Sequence, residues 1–279
     1  MNLIVQESEN CHNKGNFSFA KYNLEKPIIS IITIVYNCEN NLEETILSVL
    51  NQTYKNMEYI VIDGGSTDGT INIIKNYEDK INYWISEEDF GISDAFNKGI
   101  DKSNGDYLLM LNAGDKFLNP DSLEKAISFL QDKQNDIITF QAQTPKGIIF
   151  PRHYAHKIHS SCFVKRSNAM IAHQATFVSK LAYQKIGKYS LDYKIRMDFD
   201  FFLKASLHYT IDFHPIPLIL YNTDGLSSRL QNRLKFKVEE YKSLMEHIAL
   251  PWWFRFYICI ELPFYLVKQL LSTLKHKML

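Results

Sequence analysis

The chain has no net charge. Its 31 Lys and Arg residues balance 31 Asp and Glu over 279 positions, so no global field draws it toward nucleic acid. Cysteine is scarce: Cys11, Cys38, Cys162 and Cys259 stand far apart with no Cys-x-x-Cys pair. That spacing excludes a thiolate metal site and, at this length, argues against a disulfide framework, leaving four reduced thiols. No Gly-x-Gly-x-x-Gly follows the first apolar run, where Tyr36-Asn37-Cys38 stands instead, and a dinucleotide-dependent oxidoreductase is thereby rejected. Residues 1–26 are polar and Asn-rich without an apolar core, the composition of a flexible arm rather than a secretory signal. An unbroken run of about 20 apolar residues, the length a spanning helix needs, is also missing.

What is present is a repeated pattern of apolar runs that end in small polar residues. Residues 28–35 lead to Tyr36-Asn37, residues 59–62 to Asp63-Gly64-Gly65-Ser66-Thr67-Asp68, and residues 107–111 to Asn112-Ala113-Gly114-Asp115. Each run is β-branched or aromatic, as in strands buried on both faces. Between them lie helical spacings. Asn40 and Glu43 resemble a capping box ahead of Leu42, Ile46, Leu47 and Leu50, and Ser66-Thr67-Asp68 offers caps for a helix carrying Ile71 and Ile74. A short strand over 81–85 and a helix over 93–100 follow, Asn119-Pro120 opens another helix, and 136–140 continues the sheet. Beyond that, 179–187 and 198–208 read as helices. Such βαβ alternation predicts an α/β fold with a doubly wound, mostly parallel sheet. In that architecture ligands bind in the crevice at the carboxyl ends of the strands, where all three polar turns meet. Acidic and small residues there suit a site that grips sugar and nucleotide hydroxyls and holds a divalent metal.

Four segments carry a resemblance. SIITIVYN, EYIVIDGGSTDGT, EEDFGISDAFNKG and GDYLLMLNAGD, within 28–115, resemble the nucleotide-binding half of family 2 glycosyltransferases of the GT-A fold; HQATFVSK and KIGKYSLDYKIRMDFDFFLKA, within 173–205, resemble its acceptor half. The likeness is greatest to bacterial enzymes of exopolysaccharide, capsule or lipopolysaccharide synthesis. It implies an inverting, Mn²⁺- or Mg²⁺-dependent transfer from a nucleotide-sugar, UDP-linked, to a glycan or lipid-linked glycan. It divides the chain into a polar arm (1–26), a catalytic domain (27–225, with nucleotide-sugar half 27–140 and acceptor half 141–225) and a helical tail (226–279). The same resemblance places the protein in the cytoplasm, on the inner face of the plasma membrane.

The chemistry asks for such parts independently. A leaving nucleoside diphosphate needs charge neutralisation, and the acceptor hydroxyl needs a base. The resemblance makes Asp115 the metal ligand, the last carboxylate of a motif whose first position is here Asn112, a donor contact; a strand-end Asp capping the 119 turn is the alternative. It makes Asp63 the residue that meets the base of the nucleotide, with Tyr36 beside it; the alternative for Asp63 is to hold the Gly64-Gly65 turn. Gly64 stands where the family often has a second Asp. Asp94 is either a donor contact or a first-turn carboxylate favoured by the helix dipole, and Phe96 replaces a frequent Arg. Asp198, next to Met197 where the family has Glu, is the catalytic base, with an N-cap role as alternative. His173 is a second contact near the donor diphosphate and acceptor. His153, His156 and His159 read as solvated or substrate-facing rather than zinc ligands.

The charge is unevenly spread. Residues 225–279 hold nine Lys/Arg against four Asp/Glu, a net +5, on a body of −5. Trp252, Trp253, Phe254, Phe256, Tyr257, Phe264 and Tyr265 interleave with Arg255, Glu261, Pro263 and Lys268, a composition suited to lying in a membrane interface rather than crossing it. Arg229, Arg233, Lys235 and Lys237 would add attraction to anionic headgroups. The alternative is a pair of helices packed back on the domain or on a second subunit. The rival to an enzyme is a non-catalytic sugar-nucleotide-binding subunit, which transfer assays separate from it; for nucleic-acid binding, charge and stacking pattern are both missing.

Overall fold

The computed structural model describes residues 26–131, 136–151, 157–158, 163, 171–223, 232–250, 252, 260–261 and 263. Among the described residues ten strands form one sheet: β1 (Ile29–Val35), β2 (Met57–Asp63), β3 (Tyr83–Ser86), β4 (Tyr107–Asn112), β5 (Lys116–Phe117), β6 (Ile137–Gln143), β7 (Ile149–Phe150), β8 (Lys157–Ile158), β9 (Thr176–Ser179) and β10 (Ile211–Leu220). The helices are α1 (Leu42–Leu50), α2 (Thr70–Asn76), α3 (Ile92–Lys102), α4 (Ser122–Leu130), α5 (Lys180–Ile186), α6 (Met197–His208) and α7 (Arg233–His247).

Strand order is β3-β2-β1-β4-β9-β6-β10-β5. The first four strands are parallel, as the alternation of apolar runs and helical spacings requires. All seven residues of β1 are buried because helices cover both faces. On one face Ile29, Ile31, Val61 and Leu109 pack with Leu42, Ile46 and Val49 of α1, Ile74 of α2, and Leu123, Ala126, Ile127 and Leu130 of α4. On the other, Ile32, Ile34, Ile60 and Met110 pack with Phe96 of α3, Tyr183 of α5, and Phe199, Phe201 and Phe202 of α6. The expected continuation of the sheet through 136–140 needs one change: β9 runs antiparallel between β4 and β6, so the two expected neighbours do not touch. Only then does a parallel β6–β10 pair resume.

Helix starts differ from the sequence expectation for one reason. Residues with capping chemistry are used between loops. α1 begins at Leu42 with no side-chain cap, so the Asn40–Glu43 capping box does not form, and Leu47 on its outer face is exposed. α2 begins after Gly69, although Asp68 Oδ1 accepts the Thr70 N–H at 3.0 Å. Asn119-Pro120 lies ahead of α4 because its carbonyls cross-link to α1's end, Pro120 O accepting from Thr53 N and Asn119 O from Gln52 Nε2. α5 starts as expected: Ser179 Oγ accepts the Ala182 N–H at 3.0 Å.

Beyond residue 225 part of the chain packs on the domain. Tyr241, Leu244 and Leu250 belong to the same buried cluster as α3 and α6. Lys237, taken from sequence as a headgroup contact, pairs with buried Glu240 at 3.2 Å. Arg229, His153, His156 and His159 lie outside the described residues, as does most of 251–279. Among the described residues no helix is long and apolar enough to cross a membrane.

Candidate active site

Three strand ends share one edge of the sheet. In register, Val35 sits beside Asp63 and Ile34 beside Asn112, so β2 and β4 deliver their polar turns to either side of β1. With strands about 4.8 Å apart, Asp63 at the end of β2 and Asn112 at the end of β4 therefore stand roughly 10 Å from each other across the end of β1, and Asp115 lies in the turn just beyond Asn112.

The turns after β1 and β2 are laced together. Asn37, at φ 46, donates its N–H to Ser66 Oγ at 2.8 Å and accepts the Thr67 N–H on Oδ1 at 2.8 Å. Cys38 N donates to Thr70 Oγ1, and Glu39 Oε2 accepts from Gly69 N. Asp63 is completely buried beneath this lacing. Its carboxylate accepts from Gly65 N, Ser66 N, Ser66 Oγ and Ser86 Oγ, which fills the roughly four acceptor positions a carboxylate offers. In this arrangement Asp63 holds the Gly64-Gly65 turn. Tyr36 remains at the rim, 63% exposed. A Cβ on Gly64 would collide with Asp89 Oδ2. Asp89, whose other oxygen accepts the Gly91 N–H at 2.7 Å, thus covers the position at which a second Asp was missing from the sequence.

Asp94 belongs to the same rim but turns inward on its own helix. Its Oδ2 accepts the Phe90 N–H at 3.1 Å and faces Lys98 at 3.4 Å, as a first-turn carboxylate does. Phe96, in place of a cation, is wholly buried and meets the His173 ring edge-on at 5.3 Å.

On the other flank, Asp115 is 2% exposed. Asn222, following β10, donates its N–H to Oδ1 at 2.7 Å, and Asn112 Nδ2 donates to Oδ2 at 3.1 Å. Gln174 adds a third hydrogen bond. Burial nevertheless pushes the Asp115 carboxyl up to about 7, against the pull of these donors. Asn112 supplies a donor where a second carboxylate would add repulsion. The site thus offers one protein carboxylate, the smaller donor set for a hard cation whose other ligands come from phosphate and water. Among the described residues a denser set, Asp200, Glu246 and His247, has its ligand atoms within 4.8 Å of one another. It lies between α6 and α7, where Lys204, Ser243 and Tyr193 already take its oxygens, the arrangement of a salt-linked helix contact.

His173 and Gln174 form a turn just before β9 and connect the two flanks. Gln174 reaches Asp115, while His173 Nε2 meets Tyr189 OH at 2.7 Å, which meets Tyr183 OH at 2.8 Å. Burial lowers the His173 pKa to about 4, opposed by the negative charge of Asp198. That charge also acts on Tyr189, so Asp198 stands beside this buried chain. Asp198 lies in the first turn of α6, half-buried, and the N-cap position falls to Arg196 instead. Its Oδ1 accepts from Phe199 N. Asp200, two residues on, faces α7 rather than the site, as helical spacing requires. Gln174 and Asn222 carried no signal in the sequence that ties them to Asp115, because 59 and 107 positions separate them from it.

Comparisons with known proteins agree with this geometry. Residues 30–201 match the description Glycosyl transferase family 2. A Bacillus subtilis glycosyltransferase named for teichuronic acid biosynthesis is 37% identical over 111 residues, 39% of this chain, which spans under half of that relative (44%). Staphylococcus aureus TarS 1–349, solved with UDP-GlcNAc, superposes with a TM-score of 0.63 at 18% identity, covering 84% of this chain and 71% of the other. A Pyrobaculum calidifontis mannosyltransferase, solved with GDP-Man and Mn²⁺, gives a TM-score of 0.64 at 16% identity, covering 85% and 70%. These two likenesses show the GT-A fold.

Proposed function

Because the chain belongs to glycosyl transferase family 2, we propose that it moves a sugar from a UDP-linked donor to a hydroxyl of a glycan or lipid-linked glycan, with inversion, in bacterial surface polysaccharide synthesis. One observation carries the reading: the Asp115–Gln174–His173 chain links the β4 strand end to the neighbourhood of Asp198. That linkage supports a reading in which diphosphate chemistry at Asp115 and hydroxyl chemistry at Asp198 are neighbours.

In the reaction the acceptor oxygen forms a bond to the anomeric carbon while the bond from that carbon to the diphosphate oxygen breaks. The hydroxyl proton goes to Asp198, whose partial exposure keeps it reachable. Tyr36 and the loop held by Asp63 receive the nucleoside. Asn112 and Asp115 face the diphosphate, and Asp115 would hold the Mn²⁺ or Mg²⁺ that neutralises the leaving group. Neutral His173, fixed by Tyr189, orients the donor without adding a positive charge near the cation. Trp252, 80% exposed, and the basic C-terminal region support a peripheral contact with an anionic membrane at its cytoplasmic face, where a lipid-linked acceptor would be presented.

The test is a screen of nucleotide-sugars with and without Mn²⁺, followed by product analysis on a lipid-linked acceptor. Asp198→Asn is expected to lower turnover by about 10²–10⁴-fold while nucleotide binding survives. Donor binding with no transfer by the unaltered protein would instead make it a sugar-nucleotide-binding subunit.

A further inference from the structure

Taking Asp198 as the base, as proposed above, we infer that Glu239 of α7 is a positioning residue for it: this carboxylate clamps the peptide from which Asp198 projects. The described hydrogen bond of Asp198 is to the N–H of its own neighbour Phe199, so its direction depends on the backbone of that turn. Residues 194–196 enter the turn with three successive N–H groups aimed at one carboxylate. Lys194 N donates to Glu239 Oε1 at 3.1 Å, and Ile195 N and Arg196 N donate to Oε2 at 2.9 Å each. Arg196, at the N-cap, makes no side-chain cap bond, and its N–H, which the helix start leaves without an intrahelical partner, is the last of the three. A carboxylate also suits that end of the helix dipole. Here it arrives from a helix about 40 positions on and is only 6% exposed.

The clamp has a second jaw. Lys194 Nζ donates to Phe90 O at 3.0 Å, and Ser93 Oγ to Tyr193 O at 3.2 Å, which ties the same peptide to the donor-side loop and to α3. Around Glu239, α7 directs its other polar groups at this stretch as well. Glu240 meets the Arg196 guanidinium at 3.1 Å, Tyr193 OH donates to Glu246, and Ser243 and His247 both meet Asp200 Oδ1. The Arg196 guanidinium is stacked between Phe199 and Phe236, at 4.4 and 4.1 Å. The turn bearing Asp198 is therefore held between the nucleotide-side rim and the C-terminal helix, and Glu239 sets its height over the cleft.

Amide hydrogen exchange on the full-length protein, with turnover and UDP binding of Glu239→Gln, Glu239→Ala and Asp198→Asn measured in parallel, tests the inference. Slow exchange at residues 194–196 is expected in the unaltered protein and faster exchange in Glu239→Ala. That variant should lose about a hundredfold in kcat, the effect of a displacement near 1 Å, with the Kd for UDP unchanged. Glu239→Gln, which keeps one acceptor oxygen, should retain more kcat than Glu239→Ala. If the Ala variant does not fold, the Gln variant and the exchange of the unaltered chain decide the matter. Fast exchange at 194–196 in the unaltered protein, unaltered kcat in the Glu239 variants, or a loss confined to UDP affinity would overturn the clamp. Full turnover in Asp198→Asn would remove the base, and the clamp with it; loss in Asp198→Asn beside unaltered kcat in Glu239→Ala would remove the clamp alone.

Discussion

Asp115 and His173 sit a hydrogen-bonded neighbour apart, and burial drives them in opposite directions. Desolvation disfavours whichever form is charged, so it raises the carboxyl to about 7 and lowers the imidazole to about 4. For His173 the sign follows from proton counting. Between its ordinary 6.5 and about 4 the unfolded chain binds the proton and the folded one does not, so its contribution to stability is present above 6.5 and is lost as pH falls toward 4. At about 1.4 kcal/mol per unit the full loss is on the order of 3 kcal/mol. Asp115 acts with the opposite sign, gaining stability as pH falls below 7. The measurement is therefore a difference: urea unfolding of the unaltered protein and of His173→Gln at pH 7 and pH 4.5. The unaltered protein should lose more stability on acidification than the variant, and equal losses would mean that His173 is not sealed.

At the scale of elements, the site depends on how closely α3 approaches β1. Gly99 makes that approach possible, since a Cβ there would overlap Ile32 Cγ2, a fully buried methyl group. α3 carries Asn97, which brackets Tyr189 by accepting from its N–H at 3.0 Å and donating to its carbonyl oxygen at 2.8 Å. Pushing α3 outward would shift Tyr189 and with it His173. Gly99→Ala is expected to cost about 1–3 kcal/mol in chemical unfolding, as overpacking usually does, and to lower turnover as well. A variant with unaltered stability would show that Ile32 can move aside. Elements placed by apolar periodicity survive folding: the stripe Leu123, Ala126, Ile127 and Leu130 is buried as its spacing requires. Elements bounded by capping residues shift by a few positions, because Glu43, Asp68 and Asn119 find partners in Tyr77, Glu39 and Gln52, distant along the chain.

For the molecule as a whole, α7 is part of the body while the aromatic stretch beyond it is the candidate membrane contact. Glu239, Glu240 and Ser243 are buried against the α6 side, so shortening the chain ahead of α7 would expose them together with the three amides that Glu239 accepts. A chain ending at Leu250 should keep its fold and circular dichroism yet lose binding to vesicles rich in anionic lipid. Unchanged sedimentation with those vesicles would locate membrane contact elsewhere or nowhere.

Sequence alone determined the strands and helices of the first half, their parallel order, and the edge at which Tyr36, Asp63 and Asp115 gather, because apolar period and strand-end polarity are local properties of the chain. The family membership was legible for the same reason: its motifs are contiguous. How each carboxylate is held was decided only by tertiary structure. Asp63 is bonded by Gly65, Ser66 and Ser86; Asp115 is oriented by Asn222, Asn112 and Gln174; Asp198 is aimed through Glu239. Each of those outcomes depends on donors brought from distant positions or on backbone geometry, and neither spacing nor composition encodes where a hydrogen bond between remote residues will close.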